Sequence, residues 1–154
     1  MTETPWILWM KIHGSVSLLG IALCFHPAVA LSKARRPSRY VALTGYLASG
    51  LVTLTNALGW FIYPAYREEV KQPLYLEARW WGQAFEVKEH LAHYAMSFAV
   101  AGAVLMLLAR GAGGRELRVP TALCYALAAA MGLITAALGV GVASMNQFAP
   151  IIAP

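Results

Sequence analysis

The chain has 154 residues, of which 59% are hydrophobic and 12% charged, with a formal net charge of +5. A soluble domain carries about 25% charged residues, so this composition excludes a protein that meets water on all sides and describes a single domain inside a bilayer. The positive balance does not point to nucleic acid, because the basic residues gather in short segments beside apolar runs, and Cys24 and Cys124 read as buried thiols rather than a disulfide framework.

A membrane-spanning helix needs roughly 20 apolar residues. The first such segment is 6–31. It is too long for the apolar core of a signal peptide, no basic residue precedes it, and Lys11 lies within it, so it reads as a span. His13 sits about two turns in, roughly 10 Å below the boundary at 1.5 Å per residue. Gly14, Ser17 and Gly20 continue the same side. His26 precedes Pro27 near the opposite end and reads as an interfacial histidine that reaches headgroups or a loop carbonyl.

The connector that follows carries Lys33, Arg35, Arg36 and Arg39 with no acid. Span two, 40–63, has no charged residue, and its Gly45, Ser49, Thr53 and Asn56 form a small-residue stripe suited to helix packing. Segment 64–82 mixes aromatics with both signs of charge, among them Arg67, Glu68, Glu69, Lys71, Glu77 and Arg79. Pro64 is expected to end span two, and Pro73 to interrupt any helix in the segment. This segment is the one sizeable surface outside the membrane, either a docking site for a periplasmic partner or an amphipathic connector lying on the bilayer.

Span three, 83–109, opens with FEVKEHLAHY, which places Glu86, Lys88, Glu89, His90 and His93 within its first turns. Ionisable groups in a span are costly and need a partner. The next connector holds Arg110, Arg115 and Arg118 against Glu116, and span four, 119–145, supplies a further stripe of Gly132, Thr135 and Gly139.

Excess Lys and Arg belongs on the cytoplasmic side. The first and third connectors therefore face inward, while both termini and 64–82 face outward, to the periplasm in a Gram-negative cell. The expected fold is an all-α integral membrane protein, an up-down bundle of four transmembrane helices forming one domain over 1–154. Trp6, Trp9, Trp60, Tyr63, Tyr66, Tyr75, Trp80 and Trp81 then gather at the outer boundary as an aromatic belt.

Spans one and three run in the same direction, so His13, His90 and His93 share the outer leaflet and are expected to face one interior space. Two imidazoles from facing helices make a low-spin haem centre. His13 and His93 are the expected axial pair, with His90 beside them, Gly14 and Gly20 admitting the ring, and Ser17 near its depth. Lys11, Arg67, Arg79 and Lys88 lie where propionates would need cations. In site type alone, this resembles the small membrane-anchored b-type cytochromes. The resemblance implies a subunit that relays electrons, to or from quinone, alongside other membrane or periplasmic subunits, rather than a stand-alone enzyme.

Two alternatives stand beside the haem. Glu86–His90 and Glu89–His93 are i, i+4 pairs of the kind found in di-metal bundles, but the other spans contain no acid to complete a dinuclear site. A single zinc, copper or iron ion on His13, His90 and His93, with Glu89, is the remaining metal reading. The other alternative is a cofactor-free accessory subunit. No Ser/His/Asp or Cys/His set and no phosphate loop points to catalysis.

Overall fold

The computed structural model describes residues 5–33, 38–109 and 116–152. Apart from short connectors, these residues are helical: α1 is Pro5–Lys33, α2 is Arg39–Tyr66, a single π-helical turn covers Arg67–Lys71, α3 is Gln72–Glu77, α4 is Arg79–Ala109 and α5 is Arg118–Ile152. Four of the helical stretches are long and apolar enough to cross a membrane: Ile7–Lys33, Arg39–Glu77, Arg79–Ala109 and Arg118–Met145. The chain is thus an all-helical protein with the makings of a multi-pass membrane protein. Of the basic residues that set the expected orientation, Arg35, Arg36, Arg110 and Arg115 lie outside the described residues.

Ser38 caps α2. Its backbone is extended, and its side chain accepts a bond from the Val41 N–H, satisfying one of the orphan donors of the first turn. The far end of α2 departs from the sequence expectation. Pro64 does not end the helix, which runs through it to Tyr66 and on into the π turn. Pro73 opens α3 rather than interrupting it, because a proline in the first turn of a helix removes an N–H that would be unpaired anyway. Segment 64–82 accordingly prolongs α2 as a helix as far as Glu77, and the chain breaks only at Ala78 before α4 begins. Val70 and Leu74 are buried with Tyr66, Phe85 and Val142, and the Tyr75 ring lies against Gly82.

The long helices close a ring. α1 packs on α2 and α5, and α4 packs on α5 and α2, so α1 and α4 stand diagonally. Close approaches explain the small-residue stripes. Gly20 meets Val52 across α1 and α2, and Gly132 meets Ile21 across α5 and α1. The larger buried cluster centres on Tyr125, which is fully buried with Cys24, Ala99, Met106 and Ala128. Its ring lies between Gly45 and Gly102, where a side chain would collide with it. Ser49 donates to the Ala99 carbonyl at 2.6 Å and lies 3.3 Å from the Tyr125 oxygen. The tyrosine therefore donates to the serine, and one polar chain ties α2, α4 and α5 together. Such interhelical bonds contribute about 0.6 kcal/mol each in a membrane protein. Their larger effect is to leave no buried hydroxyl unpaired at this point.

Candidate functional site

The polar residues in the half of the helices nearest 64–82 form two groups, separated by the direction in which α4 faces. The buried side of α4 is marked by Phe85, Ala95, Ala99, Gly102 and Met106. At 3.6 residues per turn, Lys88 belongs to that side, while His90 and His93 lie on the other. Both histidines are exposed on the single chain. The common interior space expected for His13, His90 and His93 is therefore not formed; the small residues of α4 take the packed face and turn the histidines outward. α2 stands between the two positions, with Gly59 against the His13 ring and Trp60 against His93, whose ring centroids are 6.2 Å apart at an edge-on angle.

The outward histidines share one local geometry. His90 Nδ1 lies 2.8 Å from the Glu86 carbonyl, and His93 Nδ1 lies 2.8 Å from the Glu89 carbonyl. A carbonyl only accepts, so each Nδ1 carries its proton and donates. In the neutral ring this leaves Nε2 with its lone pair free, and both Nε2 atoms are on the exposed side of the helix. Ser97, one turn further in, donates to the His93 carbonyl at 2.9 Å and extends the polar row.

The carboxylates have other work. Lys71, delivered by the π turn, places its ammonium 2.8 Å from Glu86 and 3.1 Å from Glu89, and 3.2 Å from the Tyr63 hydroxyl. The Lys71 side chain is only 13% exposed, against 43% for Glu86 and 24% for Glu89. Glu89 is thus engaged by a cation rather than free to bind a metal. Among the described residues, no group of three or more His, Cys, Asp or Glu side chains is arranged to hold a metal ion. The expected three-histidine metal site is not assembled by this chain.

Lys88 also departs from expectation. Instead of reaching the water boundary to meet a propionate, it is half-buried, with its ammonium 4.4 Å from the Phe85 ring centre and 5.1 Å from that of Tyr66. Lys11 and Arg67 are exposed on the surface. His13 is half-buried, with Lys88 within electrostatic reach and the Thr55 backbone beside it. Ser17 donates to the His13 carbonyl at 2.7 Å, which occupies its hydroxyl in the helix. Space opens beside Gly14, where an added side chain would meet nothing, but Gly20 is filled by Val52 and Leu51 of α2 and offers no slot for a ring.

His26 finds a partner within the protein rather than in headgroups. Its Nδ1 is 2.8 Å from the Thr44 hydroxyl, which itself donates to a backbone carbonyl of α2, so the imidazole donates. The Tyr40 ring stands edge-on to it at 5.3 Å. This histidine fastens α1 to α2 and has no part in either of the two groups.

Sequence reasoning missed Lys71 as the pivot of both carboxylates and Lys88 as an interior residue. No family model matches the chain, no curated protein matches it, and no solved structure matches it.

Proposed function

We propose that the chain is an electron-relaying subunit of a larger membrane assembly, with a b-type haem bound at the outward face of α4 through His93. In this reading the four long helices form an up-down bundle in a bacterial inner membrane. The termini and the 64–82 segment are periplasmic, and quinone is the redox partner on the lipid side. The observation that carries it is the pinned ring of His93. Its Nδ1–H is committed to the Glu89 carbonyl, and a histidine that ligates iron characteristically donates its other nitrogen in this way. An exposed imidazole on a membrane span also needs covering, since hydrocarbon leaves its Nε2 unpaired.

Haem suits this donor set better than a bare ion. A haem iron takes one or two protein ligands, whereas a structural metal site takes three or four. His90 and His93 lie on the same side of one helix, so they do not occupy opposite faces of a single iron. The second axial ligand, where there is one, comes from another chain. His90 then serves as a neighbour that adjusts the site.

The same outward row supports a second reading, a cofactor-free accessory subunit. There, Glu86, His90, His93 and Ser97 bond a helix of a neighbouring subunit, and the exposed ring of Trp60 packs beside them. A visible spectrum of the purified protein, taken oxidised and reduced with haem extraction and metal analysis, separates these. Reduced-state bands of a b-haem are expected. Metal content without those bands selects a transition-metal ion on the same nitrogens, and a colourless, metal-free protein from its intact assembly leaves the docking role.

A further inference from the structure

A second polar group lies inside the ring of helices, and the outward histidines make no use of it. His13 of α1, Thr55 and Gly59 of α2, Lys88 of α4 and Gly139 of α5 converge in the half nearest 64–82. Gly59 leaves the His13 ring room, since an added side chain there would meet its Cε1 at 3.3 Å, and the Lys88 stem passes beside Gly139.

Two features mark this place as more than packing. The His13 Nδ1 and the Thr55 hydroxyl are both buried without a hydrogen-bond partner. Buried polar atoms are rarely left so, because each costs about 1–3 kcal/mol. The second feature is the Lys88 ammonium. Among the described residues it faces two aromatic rings and forms neither a hydrogen bond nor an ion pair. Lys71 takes up both nearby carboxylates. A half-buried cation whose neighbouring carboxylate, Glu89, is engaged by Lys71 is an electrostatic demand that a ligand oxygen would meet.

We infer that Lys88, Thr55 and His13 form a binding site for an acceptor oxygen on a lipid-borne ligand. The ammonium and the threonine hydroxyl donate to that oxygen, and the imidazole accepts from a hydroxyl on the same ligand or donates to a second oxygen. The chemistry fits the carbonyl of a quinone or the carboxylate of a fatty-acyl chain, both of which partition into a bilayer. The quinone form gives a location to the lipid-side partner of the proposed electron relay and rests on that reading; the site itself does not.

The test uses the full chain in lipid nanodiscs, titrated with a decyl-tailed benzoquinone and separately with decanoate, with tryptophan fluorescence as the readout. Lys88→Met keeps the length of the stem and its packing on Phe85 while removing the charge. Thr55→Val keeps the shape and removes the hydroxyl. Each is expected to weaken binding, Lys88→Met by about tenfold, the scale of one hydrogen bond to a charged group. A loss seen with the quinone identifies that ligand, and a loss seen only with decanoate identifies the carboxylate. Affinities unchanged in both variants, or no binding of either ligand to the wild type, overturn the site. Should Lys88→Met fail to fold, Thr55→Val with an unaltered melting temperature decides alone. Haem content does not enter this readout, so a colourless protein that binds quinone retains this site while losing the haem.

Discussion

The Tyr125 hydroxyl of α5 lies 3.3 Å from the Ser49 hydroxyl of α2, and Gly45, one turn earlier on α2, makes room for it. A Cβ at Gly45 would stand 2.8 Å from that phenolic oxygen. Gly45→Ala is therefore expected to destabilise the protein by about 1–3 kcal/mol, the usual range for overpacking. Tyr125→Phe removes the atom that collides, so Gly45→Ala should cost much less in that background. A double-mutant cycle on unfolding in mixed micelles measures this coupling. Purely additive effects would show that the ring does not sit where α2 and α5 place it.

The Lys71 cluster yields a second non-additive prediction. Either carboxylate alone still neutralises the ammonium. Glu86→Gln should have a small effect, as expected for a pair with an exposed partner. Glu89→Gln should cost more, since Glu89 is the less exposed. Removing both leaves a nearly buried ammonium unpaired, and the double variant should lose more than the two singles combined, by about 1 kcal/mol or more. Thermal unfolding of the four proteins under one set of conditions checks it. Glu86→Gln should also leave haem occupancy intact.

The spans were legible because their signal is one of composition. A run of some twenty apolar residues has few alternatives. What failed was the rotation of α4. FEVKEHLAHY concentrates attention on its histidines, yet the face is set by what comes later. Stepping back from Met106 through Gly102, Ala99 and Ala95 at intervals of three and four leads through Ala92 to Lys88 and Phe85, not to His90 or His93. That series of small residues was present in the sequence and marks the packed face in a membrane helix. The path of 64–82 was less accessible. Pro64 and Pro73 look like breaks, and the packing of Val70 and Leu74 with Phe85 and Val142 is what makes a continuous helix through 64–77 favourable. Lys71 was hidden for the same reason, since its reach to Glu86 and Glu89 depends on that helix continuing past Pro64 alongside α4.

Orientation is tested independently of any cofactor. Under the positive-inside rule, the basic connectors that follow the first and third spans are expected to face the cytoplasm. A reporter that works only in the cytoplasm, fused after Pro154, should be silent, and one that works only in the periplasm should be active. The opposite pattern would turn α4 over and carry its histidine row to the cytoplasmic leaflet, leaving the helix packing unaltered.

The ligand assignment gives the sharpest contrast. With haem at the outward face of α4, His93→Ala should abolish its low-spin spectrum, because iron left with one axial ligand or none differs optically from a bis-ligated centre. His90→Ala should keep the haem and shift its potential, as loss of a neighbouring polar group does at a bound cofactor. His13→Ala should leave the spectrum unchanged, since its ring packs on Gly59 in the interior while His93 is exposed beside Trp60. His26→Ala should leave it unchanged as well, and should instead loosen α1 from α2 through the lost Thr44 bond. If His90→Ala removes the haem and His93→Ala spares it, the face is right and the ligand is exchanged. If His13→Ala removes it as completely as His93→Ala does, the haem lies between α1 and α4 within one chain, and α4 must rotate to present His93 to the interior. If no histidine variant alters the spectrum, the row on α4 is a surface for a neighbouring helix.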